Sequence, residues 1–206
     1  MDADVENRLL GVNRIFYERF ARQFADARSA GQPSLRRVLS IVRDGDATLD
    51  VGCGDGRAAR ALDEMGRRVS YVGVDGSEAL SALARQRCAG LAHVAASVIV
   101  ADVTQPAWRA LLPHAAYDLV LALAVLHHIP GQAMRQRLMS DMAALLSSSG
   151  RLVVSTWQFL NSARLRQRIA PWAAAGLAEG DVQPNDYLLD WRRGGYGLRY
   201  CRLIGE

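Results

Sequence analysis

The sequence predicts a doubly wound α/β domain with a mostly parallel sheet and a helical extension at the amino terminus. Five short apolar segments alternate with segments of helical character, and they are ATLDVG (47–52), VSYVGVD (69–75), SVIVAD (97–102), YDLVLALA (117–124) and RLVVSTW (151–157). Strands that are apolar nearly throughout are typical of a parallel sheet covered by helices on both faces. Right-handed crossovers between such strands place a ligand at their carboxyl ends.

The segments between the strands predict helices, at 56–65, 77–88 and 132–146, with a helical turn around Trp108. Before the first strand, apolar residues recur every three or four positions and predict an amphipathic helix over 5–28. These residues are Leu9, Val12, Phe16, Phe20 and Phe24. A loop at 29–33 and a short helix at 34–43 follow. After residue 157 the pattern predicts a helix over 161–176 and no strand pair over 181–206.

Length and composition favour one domain. The chain has 206 residues, of which 50% are hydrophobic and 22% charged, and this suits a single core. We expect helices over 1–44, a ligand-binding core over 45–157, and a helix with a lid over 158–206. The first residues resemble no secretory signal, and the longest apolar run (119–126) is too short for a membrane span. A cytoplasmic location is therefore expected, with no membrane partner.

Residue usage excludes several chemistries. All 25 basic residues are arginine, so a phosphate-binding P-loop and a pyridoxal enzyme, which both need a lysine, are excluded. The three cysteines stand far apart with no paired spacing, and neither a disulfide framework nor a metal site is expected. The net charge of +4 is compatible with an anionic binding partner.

A glycine loop follows the first predicted strand. In LDVGCGDGR (49–57), three glycines alternate from Gly52 to Gly56, which lets a backbone approach a ligand closely. A dinucleotide fingerprint would need glycine where Arg57 stands. Asp75 ends the second strand, where an acid accepts hydrogen bonds from both hydroxyls of a ribose. Asp102 ends the third strand, beside the expected adenine. Each acid is also a candidate helix cap.

These motifs resemble the class I S-adenosylmethionine-dependent methyltransferases. The match runs from LDVGCGDGR through GVDGS, ADVTQP and YDLVLALAVLHHI to GRLVVSTW, in order over about residues 45–157. The resemblance implies S-adenosylmethionine as cofactor, with its methionine part over the glycines, its ribose on Asp75 and its adenine at Asp102 and Val103. The implied cofactor-binding set is Asp50, Gly52, Cys53, Gly54, Gly56, Asp75, Gly76, Asp102, Val103, Leu123 and Ala124.

A histidine pair follows the fourth strand, at the mouth of the expected pocket. His127 and His128 titrate near neutral pH when unperturbed, so they are candidate catalytic residues, acting as a base or a substrate contact. The alternative is that they form only the pocket wall.

Three further segments narrow the resemblance. FYERFARQFADAR, AVLHHI and DYLLDWRRGGYGLRY look like the tRNA wobble-uridine carboxymethyl methyltransferase family and its bacterial relatives. The implied acceptor is a carboxylate on a modified uridine in tRNA. Cations would hold this carboxylate and nearby phosphates, and the candidate substrate contacts are Arg28, Arg192, Arg193 and Tyr200, with Arg199 a further candidate cation. The alternative is a lid whose aromatic residues pack on the domain.

Two other functions stay open at this point. The same core occurs in enzymes that methylate small acids, quinones and natural products, and a non-catalytic cofactor-binding subunit is the second alternative. Methyltransferases of this class add two more strands after the fifth, and the chain is expected to lack them, as a truncated form would. The fifth strand, with Val153 and Val154, would then be an edge that a partner chain covers.

Overall fold

The structure, a computed structural model, describes residues 1–28 and 33–205 and contains a five-stranded sheet. Its strands lie in the order β3-β2-β1-β4-β5, and all four pairings are parallel. The strands are β1 Ala47–Val51, β2 Val69–Asp75, β3 Val94–Val100, β4 Tyr117–Leu123 and β5 Leu146–Ser155. The predicted doubly wound sheet is confirmed. The expected loop at 29–33 lies, apart from Pro33, outside the described residues.

Helices cover both faces of the sheet because its central strands are apolar on both sides. On β4, Leu119 and Leu121 join one hydrophobic cluster, whereas Val120 and Ala122 join the other. Burial of such side chains contributes about 1.5–3 kcal/mol each. The covering helices are α3 Arg57–Glu64, α4 Glu78–Cys88 and α5 Gln132–Ala144, and a 3₁₀ turn spans Pro106–Leu111.

The strand order reverses between β1 and β4, because the connection after β1 leads to β2 on one side and the connection after β4 leads to β5 on the other side. This opens a crevice at the carboxyl ends of the two strands, where ligands of doubly wound sheets bind. The glycine loop after β1 and the histidine pair after β4 both lie at this end of the sheet.

The amino-terminal helix α1, Ala3–Asp26, closes this crevice. Asp2 caps the helix by accepting a hydrogen bond from the amide of Asp4. Its apolar face, which includes Phe16, Phe20 and Phe24, is buried against α4 and a carboxyl-terminal strand. The helix predicted over 5–28 is therefore confirmed, and the next helix, α2, spans Pro33–Leu39.

The carboxyl-terminal part differs from the prediction. A second, antiparallel sheet contains β6 Ile169–Ala170, β7 Asp186–Trp191 and β8 Gly197–Arg202, so the prediction of no strand pair over 181–206 was wrong. The hairpin turn uses Gly194 and Gly195, both with positive φ. The glycine and arginine content of this segment indicated a loop. Alternate side chains of the hairpin nevertheless pack against apolar residues of α1. Local composition does not show such a contact.

The helix predicted over 161–176 was also wrong. The described helical segment is the single turn α6, Ala163–Arg166, and Trp172–Ala175 forms a 3₁₀ turn. Pro171 lacks the amide hydrogen that a continuous helix needs. The SSSG segment (147–150) forms part of β5, whose pairing with β4 shifts register between Tyr117 and Leu119.

A buried asparagine joins α1 to the hairpin and to the loop after β4. The side-chain oxygen of Asn13 accepts a hydrogen bond from the amide of Tyr200 at 2.8 Å. Its amide group lies 3.2 Å from the carbonyl oxygens of His128 and Tyr200. One side chain thus fixes three segments around the crevice.

We expect Asn13→Ala to lower the free energy of unfolding by about 2–4 kcal/mol, because it leaves buried polar groups without partners. Urea denaturation measures this change. Asn161→Ala, at an exposed position, is the matched control and should change stability by less than about 0.5 kcal/mol. Equal losses in the two variants would refute the role of Asn13 as a clamp.

Candidate active site

A cavity of about 630 Å³ lies between α1 and the carboxyl ends of the central strands. Ten of the predicted site residues line it, namely Arg28, Gly52, Gly54, Asp75, Gly76, Asp102, Val103, Leu123, Ala124 and His128. The wall from α1 includes Asn13, Tyr17 and Phe24, which the sequence analysis did not assign to the site.

The glycine loop leaves space for a ligand at one of its three glycines. Gly54 has φ +58°, and an added Cβ would meet no heavy atom within 4 Å. At Gly52, with φ +73°, a Cβ would lie 2.4 Å from Val125 Cγ2. Gly54 therefore presents its backbone to the open cavity, whereas Gly52 is required for close packing against the loop after β4.

Asp75 ends β2 with its carboxylate held by two backbone amides. The amide of Gly54 donates to Oδ2 at 2.8 Å, and the amide of Ser77 donates to Oδ1 at 2.9 Å. Burial raises the pKa of Asp75, and the two amide hydrogen bonds oppose this rise. Each oxygen keeps a further lone pair, so the carboxylate can accept from both hydroxyls of a ribose.

Asp102 and Val103 lie at the next strand end. Asp102 Oδ1 accepts hydrogen bonds from the amide and the hydroxyl of Thr104, at 2.9 and 2.6 Å. These bonds fix the turn that brings Val103 to the cavity. The geometry suits an adenine ring against Val103 with the Asp102 carboxylate near its edge.

The end of β4 has a strained backbone. Ala124 adopts φ +62°, which is uncommon for a residue with a Cβ, and its amide donates to both the carbonyl and the hydroxyl of Ser155, each at 3.1 Å. Such strain is concentrated at functional sites. Leu123 and Ala124 thus form a fixed wall of the cavity.

Three predicted cofactor residues, Asp50, Cys53 and Gly56, support the loop without lining the cavity. Asp50 accepts a hydrogen bond from the Tyr71 hydroxyl at 2.6 Å, and burial raises its pKa to about 7. Cys53 is buried, and burial raises its pKa well above the usual thiol value. At Gly56 a Cβ would lie 2.7 Å from Cys88 Sγ, so this glycine allows α3 to pack near α4.

The residues of this cavity fit S-adenosylmethionine. The Asp75 carboxylate, the open face of Gly54 and the Asp102 turn occur in the order that the motifs imply along three adjacent strand ends. A family described as a methyltransferase domain matches residues 49–152, which is just over half of the chain. The chain belongs to the methyltransferase domain family. It is a domain of the S-adenosylmethionine-dependent type, as the five motifs predicted.

Known proteins similar to this methyltransferase domain include tRNA-modifying proteins. The mouse protein named "Probable tRNA methyltransferase 9B" is 26% identical over 162 residues, covering 77% of this chain and 33% of that protein. The Schizosaccharomyces pombe tRNA (carboxymethyluridine(34)-5-O)-methyltransferase is 23% identical over 163 residues, covering 76% of this chain and 60% of that protein. The chain therefore spans about a third of the mouse relative's length and less than two thirds of the yeast one.

A solved structure shows the same fold. An S-adenosylmethionine-dependent methyltransferase from Methanosarcina mazei matches with a TM-score of 0.60 at 18% identity, over 84% of this chain and 78% of that chain. In the described part of the methyltransferase domain, no helix is long and apolar enough to cross a membrane. Nor do the described residues contain a cluster of side chains able to hold a metal ion.

Two arginines, Arg28 and Arg199, lie against the ring of Phe24 in the cavity wall. Arg28 lines the cavity, and its guanidinium lies over the Phe24 ring at 4.0 Å from the centroid. Burial lowers its pKa to about 10, so the group stays protonated at neutral pH. Arg199 on β8 is only 5% exposed. Within the described residues its Nε has no hydrogen-bond partner.

Aromatic rings surround the Arg199 guanidinium. The ring centroids of Phe16, Trp157, Trp191 and Phe24 lie 4.9, 5.2, 5.5 and 5.9 Å from it. Cation–π attraction offsets part of the desolvation of a buried charge. The buried Nε of Arg199 nevertheless keeps a hydrogen-bond donor without a partner in the described residues.

The two histidines have different surroundings. His128 lines the cavity, with Nε2 at 2.8 Å from the Tyr17 hydroxyl and Nδ1 at 2.9 Å from the Tyr200 carbonyl oxygen. His127 is fully buried, and in the described part of the chain neither ring nitrogen has a partner. Burial, reinforced by Arg28 and Arg199, lowers the pKa of His127 to about 3. Their assignment as catalytic residues stays a prediction.

We expect the burial of His127 to make stability depend on pH. Between the unfolded pKa of roughly 6.5 and the folded pKa of about 3, the unfolded chain binds a proton that the folded chain does not. The free energy of unfolding should therefore fall as pH drops through this window, by up to about 1.4 kcal/mol per pH unit from this group. His127→Leu should remove this part of the slope.

Urea denaturation between pH 4.5 and 7 measures the slope. His93→Leu, at an exposed position, is the matched control and should keep the slope of the unmodified chain. If His127→Leu keeps that slope as well, the buried neutral state of His127 is refuted.

The remaining predicted substrate residues lie away from the cavity lining. Arg192 is exposed and pairs with Asp190 at 2.7 Å, and Arg193 is exposed at the hairpin turn. Tyr200 is fully buried, and its hydroxyl donates to Asp186 at 2.8 Å. Its backbone carbonyl, rather than its side chain, is next to the site. Substrate contact by these three residues stays a prediction.

The spacing of three residues in the sequence indicates the α1 wall. Asn13, Tyr17 and Phe24 follow one another at intervals of four and seven positions, which places them on one helix face, and Arg28 follows just past the end of α1. Polar residues on an otherwise apolar face of a helix indicate either a buried hydrogen-bond network or a binding site.

Proposed function

We propose that this methyltransferase domain transfers a methyl group from S-adenosylmethionine to a carboxylate of a modified wobble uridine in tRNA. The observation that carries the proposal is the charge arrangement of the cavity. Asp75 and Asp102 at the strand ends suit the cationic cofactor, whereas Arg28 on the cavity wall, together with Arg199 packed on the same Phe24 ring, suits an anion.

The cofactor supplies an electrophilic methyl group on a sulfonium. Asp75 would hold its ribose, Asp102 and Val103 its adenine, and the loop around Gly54 its methionine part. Residues of α1 form one wall of the cavity, and electrostatic interactions are stronger beside a wall that excludes water.

A carboxylate acceptor fits a cavity whose histidine is not free to act as a base. A carboxyl group with a pKa of roughly 4 is ionised at neutral pH and needs no proton removed. His128 has both nitrogens committed, to Tyr17 and Tyr200. The remaining contribution of the protein is to align the carboxylate with the methyl group. In well-oriented reactions such alignment lowers the activation free energy by on the order of 7–11 kcal/mol.

The tRNA acceptor is supported by the relatives and by the surface beside the cavity. The yeast relative carries carboxymethyluridine in its name. Arginines on α1 and on the hairpin turn are exposed close together, since Gly195 lies near the Arg19 guanidinium. A basic surface of this kind suits phosphates, and Tyr196, 54% exposed, suits base stacking. Such an acceptor would place the reaction in the cytoplasm.

We also retain the proposal that another chain covers β5. In the described residues β5 pairs only with β4, so its other edge is unpaired by a strand. Val153 and Val154 are partly buried there. A strand or helix of a partner, or a further segment of a longer protein, would cover the unpaired backbone groups of this edge.

An acceptor panel tests the function. Transfer of labelled methyl from S-adenosylmethionine should occur to an RNA oligonucleotide that carries carboxymethyluridine, and the matched oligonucleotide with the uncharged amide should accept none. Transfer to small carboxylic acids but not to the RNA would favour a small-molecule acceptor and contradict the tRNA proposal.

A further inference from the structure

Leu10 on α1 is an apolar residue of the cavity wall that the core of the protein does not use. It lines the cavity and is partly exposed. Within residues 1–28 and 33–205 it belongs to none of the hydrophobic clusters, whereas Leu9 and Val12 on the same helix pack in a cluster with β7 and β8. Packing within the chain therefore leaves Leu10 free to contact a ligand.

The helix contacts on either side of Leu10 show which segment it faces. Glu6, Leu10 and Asn13 follow one another at intervals of four and three positions, so they lie on the same helix face. A Cβ added at Gly131 would overlap the Glu6 carboxylate, and the side-chain amide of Asn13 donates to the carbonyl of His128 at 3.2 Å. This face of α1 thus runs along the segment from His128 to Gly131, and Leu10 lies between its two contacts.

The segment opposite Leu10 is apolar and continuous with the turn after β3. Ile129 lines the cavity and is 5% exposed. It belongs to the buried cluster against which Val103 packs, and Val103 also lines the cavity. Leu10 therefore adds a third apolar side chain, from another element, to the part of the cavity where the turn at Asp102 suits an adenine ring.

The chemistry of the cofactor indicates which of its parts would occupy this place. Its ribose, ammonium and carboxylate are polar and gain nothing from a leucine side chain. The adenine ring has a polar edge and two flat faces that are poor in hydrogen-bonding groups, so burial of both faces is favourable. One face against Val103 and Ile129 would leave the other face in water unless α1 covers it.

We propose that Leu10 packs on the face of the adenine ring that Val103 and Ile129 leave free, so that α1 is part of the cofactor site. The amino-terminal helix then contributes to affinity for the nucleoside part of the cofactor. This inference rests on the proposed adenine contacts of Asp102 and Val103, and it is independent of the identity of the acceptor.

Titration calorimetry with two ligands tests the proposal on the whole chain. S-adenosylmethionine is the first ligand, and 5′-methylthioadenosine, which has the adenine and ribose but no amino-acid part, is the second. Leu10→Ala should weaken the binding of both by the same factor, about five-fold to ten-fold, because both lose the same apolar contact. Without ligand, the melting temperature should change by less than about 3 °C, since Leu10 lies outside the hydrophobic clusters.

Two further variants separate this contact from general damage to α1. Leu10→Met keeps an apolar side chain of similar volume and should bind both ligands within about two-fold of the unmodified chain. Ile15→Ala removes an apolar side chain of the same helix that is 65% exposed. It is the matched control and should leave both affinities unchanged.

Three results would overturn the proposal. Weaker binding of S-adenosylmethionine with unchanged binding of 5′-methylthioadenosine would place Leu10 against the methionine part. Unchanged binding of both ligands in Leu10→Ala, with or without a raised KM for the RNA acceptor, would remove Leu10 from the cofactor site. An unmodified chain that binds neither ligand would contradict the proposed cofactor contacts and this inference together.

Discussion

Asp75→Ala should reduce the affinity for S-adenosylmethionine by about 100-fold or more. The carboxylate accepts the amides of Gly54 and Ser77 and is placed to accept the ribose hydroxyls as well. Hydrogen bonds to a charged group contribute about 1.5–3 kcal/mol each, so two lost ribose contacts account for a change of this size. Calorimetric titration of the purified chain measures it.

Glu78→Ala is the matched control for this experiment. Glu78 begins α4 three positions later, and its exposed carboxylate pairs with Arg85 at 3.2 Å. Exposed pairs of this kind contribute about 0–1 kcal/mol, so cofactor affinity should stay within about two-fold. Asp75→Ala with unchanged affinity and unchanged thermal stability would refute the ribose assignment.

Arg199→Met should lower kcat/KM for the RNA acceptor by about 100-fold while the dissociation constant of S-adenosylmethionine stays unchanged. Removing one member of a buried charge pair costs about 2–5 kcal/mol, and the proposed carboxylate would pair with the charge of Arg199, whose Nε has no hydrogen-bond partner in the described residues. Methionine keeps much of the volume inside the aromatic rings. Steady-state kinetics with saturating cofactor measure the change.

Arg28→Met should produce a similar loss, because both cations pack on the ring of Phe24 and Arg28 lines the cavity. Arg37→Met, on the exposed face of α2, is the control and should retain full activity. Arg199→Lys should recover part of the activity, since it restores the charge without the planar donors. Full activity of Arg199→Met would contradict the anion-binding role.

The five-stranded sheet was predictable because its signals are local. Each strand is a short apolar run bounded by polar residues, and the acids Asp75 and Asp102 stand at strand ends where parallel topology brings them together. The residues that line the cavity at the strand ends could therefore be named from the sequence. The boundaries of β3 and β5 shifted by several residues, since pairing with neighbours rather than composition sets where a strand ends.

The aromatic surroundings of Arg199 were not predictable in the same way. The rings around Arg199 come from α1, from the end of β5 and from the hairpin, so they meet only through contacts between distant segments. The clamp by Asn13 and the positive φ of Ala124 likewise depend on tertiary hydrogen bonds to Tyr200 and Ser155. No single stretch of the sequence carries such information.

Identification of the methylated atom tests the account most directly. The chain would be incubated with S-adenosylmethionine labelled in its methyl group and with an RNA stem-loop that carries carboxymethyluridine, and the nucleoside product would be analysed by mass spectrometry. The account predicts one labelled methyl group on the carboxylate, released by mild alkali as expected of an ester. Label on a ring nitrogen or ribose oxygen, or no transfer under conditions where the cofactor is bound, would contradict it.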